Sequence, residues 1–257
     1  MIVGGVALSQ HPFFVIHQDL PREAPGSNES TSKAFRLLKE LPAFPQILDI
    51  GCGPGMQTLQ IAELTDGKIT ALDKTEAFLQ ELEKRKQAAG IGEKILTVSG
   101  DMFALPFARE SFDLIWSEGA IYIIGFERGL REWKAFLKPN GYLVVSELTW
   151  LKDDPPEEIA QFWANHYPAM KSVRESEQVV QDEGYTLLHS FTLPEADWWT
   201  HYYTPLEARV ADLRTRTPIT QLMVECLDQT EQEIDMYRKY SEYYGYTFFI
   251  MQRNDSF

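Results

Sequence analysis

The stretch from Leu48 to Thr58, LDIGCGPGMQT, constrains what this chain can fold into more than any other. Ile47, Leu48 and Ile50 form a short apolar run that predicts a buried strand, and Leu59, Ile61, Ala62 and Leu64 predict a helix after it. Between them lies a turn of the pattern Asp49-x-Gly51-x-Gly53-x-Gly55. Strand, glycine turn and helix in this order suit a nucleotide-type ligand. Glycines let the backbone come close to it, and a helix N-terminus presents unpaired N–H groups. Taken alone, the same residues also describe a tight strand-to-helix turn that happens to be rich in glycine.

The unit repeats along the chain. A helix capped by Ser27 or Asn28 is expected to run to Leu41, where Pro42 and Pro45 end it. Residues 68–72 read as strand two, with Asp73 at its end, and Thr75 opens a helix through Ala89. Residues 93–99 read as strand three and 112–116 as strand four, the latter followed by Ser117-Glu118-Gly119. A helix over 127–137 then precedes strand five at 142–148. Strands alternating with helices at this spacing predict βαβ units, and so an α/β fold with a parallel sheet covered on both faces.

Beyond strand five the pattern loosens. Pro155 or Pro156 opens a helix with Ile159, Phe162, Trp163, His166 and Tyr167 on one face, and Pro168 stops it. A helix over 175–183 and strand six over 185–193 follow. About fifty residues then separate strand six from strand seven at 246–251. They hold the aromatic run 196–203, the segment 205–214, and an amphipathic helix begun by Thr217 and Pro218 and ended by Gly245. Residues 1–26 show no clear period. A single domain over 1–257 is expected, with a cofactor-binding core at 28–149 and an acceptor side built from 150–172 and 196–245.

Charge narrows the partners. With 38 acidic against 24 basic residues the formal charge is −14, which disfavours phosphate backbones and anionic membrane surfaces. The two cysteines, Cys52 and Cys226, form neither a disulfide framework nor a metal-ligand spacing, so no metal is expected. The first eighteen residues lack a basic start and are broken by Pro12, unlike a signal peptide, and no run is apolar enough to span a bilayer. A soluble cytoplasmic protein, monomeric or homodimeric, is expected.

Each glycine- or acid-bearing turn follows a parallel strand, so all four should line one crevice at the C-terminal strand ends. The turn from Gly51 to Gly55, with Asp49 and Cys52 in it, can approach the carboxypropyl part of a nucleoside ligand. Asp73, followed by Lys74, can accept both ribose hydroxyls. Asp101 can accept from an adenine amine beside the Met102 N–H, and Ser117 and Glu118 stand near the reactive end.

At this point the sequence resembles the class I S-adenosylmethionine-dependent methyltransferases. The segments LDIGCGPG, ALD, GDMFALPF, FDLIWSEGAIY and LKPNGYLVVSE carry the resemblance, from about Ile47 to Leu148. The glycine spacing differs from the G-x-G-x-x-G of dinucleotide folds. The resemblance implies a Rossmann-like, seven-stranded, mostly parallel sheet with a reversed last strand. It also implies S-adenosyl-L-methionine as methyl donor, with S-adenosyl-L-homocysteine as product. Within the family the chain is most similar to the small-molecule methyltransferases of the ubiquinone/menaquinone-biosynthesis-like group, although the helical, aromatic-rich insertion between the last two strands departs from simple members. The Ser117-Glu118-Gly119-Ala120 turn also stands where many amide and base N-methyltransferases carry Asn-Pro-Pro-Tyr, which argues for a small-molecule acceptor and against nucleic acid.

Methyl transfer from a sulfonium is an in-line displacement that mainly needs positioning and exclusion of water, with a base where the nucleophile carries a proton. Glu118 is the first candidate for that base, with Tyr122 and His166 as further catalytic candidates and Glu147 facing the crevice. Each also reads as a packing or paired residue. Trp163, Tyr167, Trp199, Tyr202 and Tyr203 are expected to meet the acceptor, although an aromatic mini-core with Trp198 and His201 accounts for the same run. Pro25-Gly26-Ser27 can form a flap over the cleft. Two other functions fit parts of the pattern: a non-catalytic S-adenosylmethionine-binding protein and a dinucleotide-dependent oxidoreductase.

Overall fold

The apolar run before the glycine turn is the middle one of five parallel strands. In the computed structural model, which describes residues 2–3, 6–7, 12–18, 20–216 and 218–254, that strand is β3 (Gln46–Ile50), preceded by the two-residue strands β1 (Ile2–Val3) and β2 (Val6–Ala7), which pair with each other. Everything after its first residue is buried. To one side of β3 lie β4 (Lys68–Asp73) and β5 (Ile95–Ser99), and to the other β6 (Phe112–Ser117) and β7 (Leu137–Trp150). All four pair in parallel fashion, so the five C-terminal ends share one edge, and the strand order reverses between β3 and β6. Such a reversal opens a crevice at the strand ends. The chain closes with β9 (Tyr185–Thr192) and β10 (Tyr244–Arg253), the latter antiparallel to both β7 and β9. The seven expected strands and the reversed last strand are present. A two-residue strand, β8 (Lys171–Ser172), adds an eighth by pairing with the end of β7.

Helices cover both faces. One core layer joins the sheet to α2 (Asn28–Arg36), α3 (Met56–Leu64) and α4 (Glu76–Ala88) through Ala34, Ile61, Ala62, Leu79 and Leu82. The other joins it to α5 (Phe126–Trp133) and α7 (Val173–Asp182) through Leu130, Trp133 and Val180. A third cluster packs beyond the strand ends. It brings together α1 (Pro12–His17), α6 (Glu157–His166), α8 (Glu195–Trp198), a π-helical turn (Trp199–Tyr203), α9 (Thr204–Thr215) and α10 (Gln221–Tyr240). Its centre is aromatic: Trp198 stacks on Tyr237 with ring centroids 4.0 Å apart, and Tyr203 and Tyr244 are fully buried beside them.

Several boundaries differ from the sequence expectations. Helix α2 stops at Arg36 rather than Leu41. Tyr244 and Gly245 belong to β10, where they pair with Trp150 and Thr149, so Gly245 does not end the long helix. Helix propensity at Tyr244 yields there to backbone pairing along β7. The start of α10 is marked by Thr220, whose side chain accepts from the Met223 N–H; the expected start at Thr217 lies outside the described residues. The aperiodic N-terminal segment contains α1, whose Ile16 is buried in the third cluster.

Candidate functional site

The glycine turn takes its shape from its own backbone. Gly51 sits at φ +71, and a Cβ there would come within 2.5 Å of the Ala120 Cβ, so glycine is required on both counts. The Gly51 and Cys52 N–H groups both donate to the Leu72 carbonyl, at 2.8 and 3.1 Å. The turn is thereby bonded to the end of β4 before any ligand is considered. The Gly53 N–H donates to Asp73 Oδ2 at 2.9 Å, and the Thr75 N–H to Oδ1 at 2.8 Å. Burial still pushes the Asp73 carboxyl up, against these bonds.

Asp49 lies beneath the turn, fully buried. Its Oδ2 accepts from Thr58 Oγ1 at 2.6 Å and Gln57 Nε2 at 3.3 Å, which binds the strand to the first turn of α3. Its Oδ1 has no partner, and burial pushes the carboxyl up to about 7 despite the Thr58 bond. Gly55 also lies beneath, where a Cβ would strike Leu82 of α4 at 2.3 Å. Ser117 joins neighbouring strand ends by donating to the Ile50 carbonyl at 2.9 Å.

Above the turn is a cavity of about 310 Å³. Gly51, Cys52, Gly53, Asp73, Lys74, Asp101, Met102 and Glu118 all line it, whereas Asp49, Gly55 and Ser117 support it from below. The Asp101 carboxyl turns outward to Lys74, 2.8 Å away, and accepts from the Phe103 N–H at 3.1 Å. The Lys74 bond holds it below the usual carboxylate range. Burial raises the Cys52 thiol well above its ordinary value, so it stays protonated and unreactive.

Glu118 is buried and fully engaged. Its Oε1 accepts from Thr31 Oγ1 at 2.7 Å and Trp116 Nε1 at 2.9 Å, and its Oε2 pairs with Arg22 at 3.2 Å. Burial pushes its carboxyl up even though Arg22, Thr31 and Trp116 pull it down, and the three donors occupy both of its oxygens. They make it the anchor of residues 20–27, which lie as a strap across the strand ends. Arg22 also donates to Asn28 Oδ1, Arg85 of α4 donates to the Leu20 and Pro21 carbonyls, and the Gly26 N–H donates to the Asp197 carbonyl. Ser27 caps α2, and Ser30 donates to Asp197 Oδ2 at 2.5 Å. The strap touches the sheet where Gly119 takes φ +61, with room for no Cβ beside Ala24. The flap residues Pro25 and Gly26 belong to this strap, and Pro25 lines the cavity.

A second cavity, of about 320 Å³, opens beside the first among the aromatic residues of the third cluster. Phe13, Glu23, Ala24, Pro25, Gly119 and Tyr122 line both cavities and so form their common wall. Trp163, His166, Tyr167 and Tyr202 line the second, as does Trp198. The structure does not bring Trp199 or Tyr203 to its wall. Trp199 is half-exposed under Arg238, and Tyr203 is buried behind, donating to Glu233 Oε1 at 3.0 Å. The His166 ring stacks on Phe162 and shares a 2.8 Å hydrogen bond between Nδ1 and the Phe162 carbonyl.

Among the described residues, three carboxyls around this second cavity lack cationic partners within ion-pair distance. Glu147 is buried in β7, neither oxygen has a partner of ordinary geometry although the Tyr167 hydroxyl interacts with it, and burial pushes it up to about 8. Glu23 stands in the common wall with Oε2 unpartnered, raised to about 8 by burial and by Asp73 against the pull of Arg85. Glu233 of α10 lines the cavity and is raised by burial. Sequence reasoning missed Arg22, Glu23, Thr31 and Glu233. The one signal for the first two was their place just before the expected flap. Among the described residues no cluster of His, Cys, Asp and Glu fit for a metal is present, and no helix is long and apolar enough to cross a membrane.

Residues 47–141 match the family described as a methyltransferase domain. The chain is similar to the uncharacterized methyltransferase YodH of Bacillus subtilis, 27% identical, the match covering 85% of this chain and 89% of that protein. It is also similar to a sterol 24-C-methyltransferase of Pneumocystis carinii, 25% identical over 66% of this chain, of whose length it spans 47%. The chain spans about half the length of that relative and of other sterol 24-C- and malonyl-(acyl-carrier protein) O-methyltransferases that it matches. In structure it is similar to a SAM-dependent methyltransferase of Geobacter sulfurreducens solved with S-adenosyl-L-homocysteine. The TM-score is 0.81 at 19% identity, covering 95% of this chain and 98% of that one. Residues 47–141 thus match a methyltransferase domain, in a chain with the Rossmann-like fold of that S-adenosyl-L-homocysteine-bound methyltransferase structure.

Proposed function

We propose that the protein transfers a methyl group from S-adenosylmethionine to a small-molecule acceptor. The observation that carries this reading is the pair of adjoining cavities with a common wall, one above the glycine turn and one lined by aromatic residues. A methyl donor in the first and an acceptor in the second would meet across Tyr122, Gly119 and the strap. The residues present fit the donor. The turn at Gly51 and Gly53 leaves room for an amino-acid tail, Asp73 ends β4 where ribose hydroxyls would lie, and Met102 and Phe103 line the adenine end. Bound S-adenosylmethionine would supply an activated methyl group, so the protein's task is alignment and exclusion of water.

The strap does most of that. Pro25 of the strap joins Phe13 of α1 in the common wall, and the Arg22–Glu118 pair holds the strap down. In this reading Glu118 is a positioning residue, and the cofactor cavity is incomplete without it. Asp49, Gly55 and Ser117 keep the turn's shape, and Glu23 is the carboxyl in the common wall able to hold an acceptor proton.

Calorimetric titration with S-adenosylmethionine, S-adenosylhomocysteine and NAD(H), on the native protein and on Asp73→Ala, tests the reading. Binding of the first two with micromolar affinity, weakened at least a hundredfold in the variant, is expected. Saturating binding followed by labelled-methyl transfer to amines, phenols or quinols completes it. Binding of NAD(H) alone would overturn it in favour of an oxidoreductase. Binding of S-adenosylmethionine without transfer to any acceptor class would leave a binding protein.

A further inference from the structure

Resting on that reading, we propose that the acceptor carries a positively charged amine, which docks on Glu233 inside the aromatic cavity while the atom to be methylated lies at the common wall. The first reason is the charge on the walls. Among the described residues lining the second cavity there is no lysine and no arginine, whereas Glu23 and Glu233 both line it. Glu147 stands just behind the Tyr122 and Tyr167 rings, which meet edge to face 6.1 Å apart. A phosphate, sulfate or carboxylate acceptor would meet carboxyl groups and find no cation.

The second reason is geometry. One Glu233 oxygen is held by the Tyr203 hydroxyl at 3.0 Å, which orients the carboxyl and leaves the other oxygen for a ligand. Around it stand the rings of Trp163, Trp198, Tyr202 and Tyr246, the setting in which a cation is held by aromatic faces. The wall also holds two histidines, His17 and His166. His17 is buried with Nδ1 bonded to the Phe13 carbonyl, and burial lowers it toward the neutral form. His166 sits exposed at the mouth and contributes the one favourable charge interaction that Glu233 finds.

The third reason is reach. Burial raises the Tyr122, Tyr167, Tyr202 and Tyr246 hydroxyls; Glu233 adds to this at Tyr122, Tyr202 and Tyr246, and Glu147 at Tyr122, Tyr167 and Tyr246. Glu233 and Glu147 are therefore close to all four rings. Burial favours the protonated form of Glu23, Glu147 and Glu233; a bound ammonium favours ionisation, and cation binding should expel a proton.

The test uses the full chain saturated with S-adenosylhomocysteine. The probes are benzyltrimethylammonium, its uncharged isostere neopentylbenzene and the anion phenylmethanesulfonate, none of which is a methyl acceptor. Titration at pH 7 in buffers of different ionisation enthalpy reads affinity and proton release together. We expect the cation to bind roughly tenfold tighter than the isostere or better, with release of about half to one proton, and the anion not to bind. Glu233→Gln keeps an acceptor for Tyr203 and should abolish the preference while leaving S-adenosylhomocysteine affinity unchanged. Equal affinity for cation and isostere in the native protein, or tight binding of the anion, would overturn the proposal with no variant involved. Failure of S-adenosylhomocysteine to bind would instead overturn the methyltransferase reading, and with it the pocket's role as an acceptor site.

Discussion

The two cavities adjoin, yet they are built by opposite means. The floor of the first comes from the turns after four successive strands, β3 to β6, and most of its polar groups are satisfied by near neighbours, Asp49 Oδ1 excepted. The Gly51 N–H finds the Leu72 carbonyl, the Gly53 N–H finds Asp73, and Asp49 finds Thr58. The second is assembled from seven stretches far apart in sequence: α1 with the strap, the turn holding Gly119 and Tyr122, Leu148 of β7, α6, the α8–α9 run, α10 and the start of β10. Its packing is aromatic, and its carboxyls at Glu23 and Glu147 keep buried oxygens without partners. Groups committed to one another make a rigid cradle suited to one ligand. Buried polar groups left open carry a desolvation cost that a ligand can relieve, which is how a cavity acquires a preference of its own.

The contrast can be broken where the two halves are tied. Glu118→Gln leaves Arg22 as a buried charge without its partner, and loss of about 3–5 kcal/mol of unfolding free energy is expected in urea denaturation. A loss under about 1 kcal/mol would mean that the strap is held by its other bonds, and that Glu118 is free for another task.

A smaller effect, and one that separates the halves, should appear at Glu147. Its carboxyl is pushed up to about 8 from an ordinary 4.5, so the folded chain keeps a proton that the unfolded chain releases between those values. Stability should therefore fall as pH rises through that window. Glu147→Gln removes the dependence, so the variant should gain up to a few kcal/mol on the native protein between pH 4.5 and pH 8. Thermal melts across the range read this directly, and parallel curves for the two proteins would show that the carboxyl finds solvent or a partner.

Least of all should follow from Lys74→Ala. The Lys74–Asp101 pair has side chains 61% and 38% exposed, and its loss should change stability by less than about 0.5 kcal/mol, the change shrinking further in salt. A larger loss of stability would place this rim pair among the committed groups of the first cavity.

The first cavity was largely legible because its residues sit at the ends of strands that the apolar runs announce. Gly51, Gly53, Asp73, Asp101 and Glu118 reach its wall together for that reason. What the turn could not show was which of its acids stand above and which below: Asp49 lies in a strand whose buried end needs a partner in α3. Glu118 read as a base because a carboxylate after a strand near a ligand is often free. Its donors Arg22 and Thr31 lie 96 and 87 residues away, and no local pattern links them. The aromatic run at 196–203 showed that something is packed there, but not which of its rings face a cavity. Trp198 and Tyr202 reach the cavity wall, while Tyr203 is buried behind it.

Sequence alone determined the order of strands and helices, the glycine turn and the acids that follow it, because hydrophobic period and left-handed turn conformations act over a few residues. Only the tertiary structure decided which carboxyls are partnered and which are left open. That depends on segments brought together from across the chain, and on whether an arginine such as Arg22 arrives beside the acid, as it does at Glu118, or stays away, as around Glu147 and Glu233.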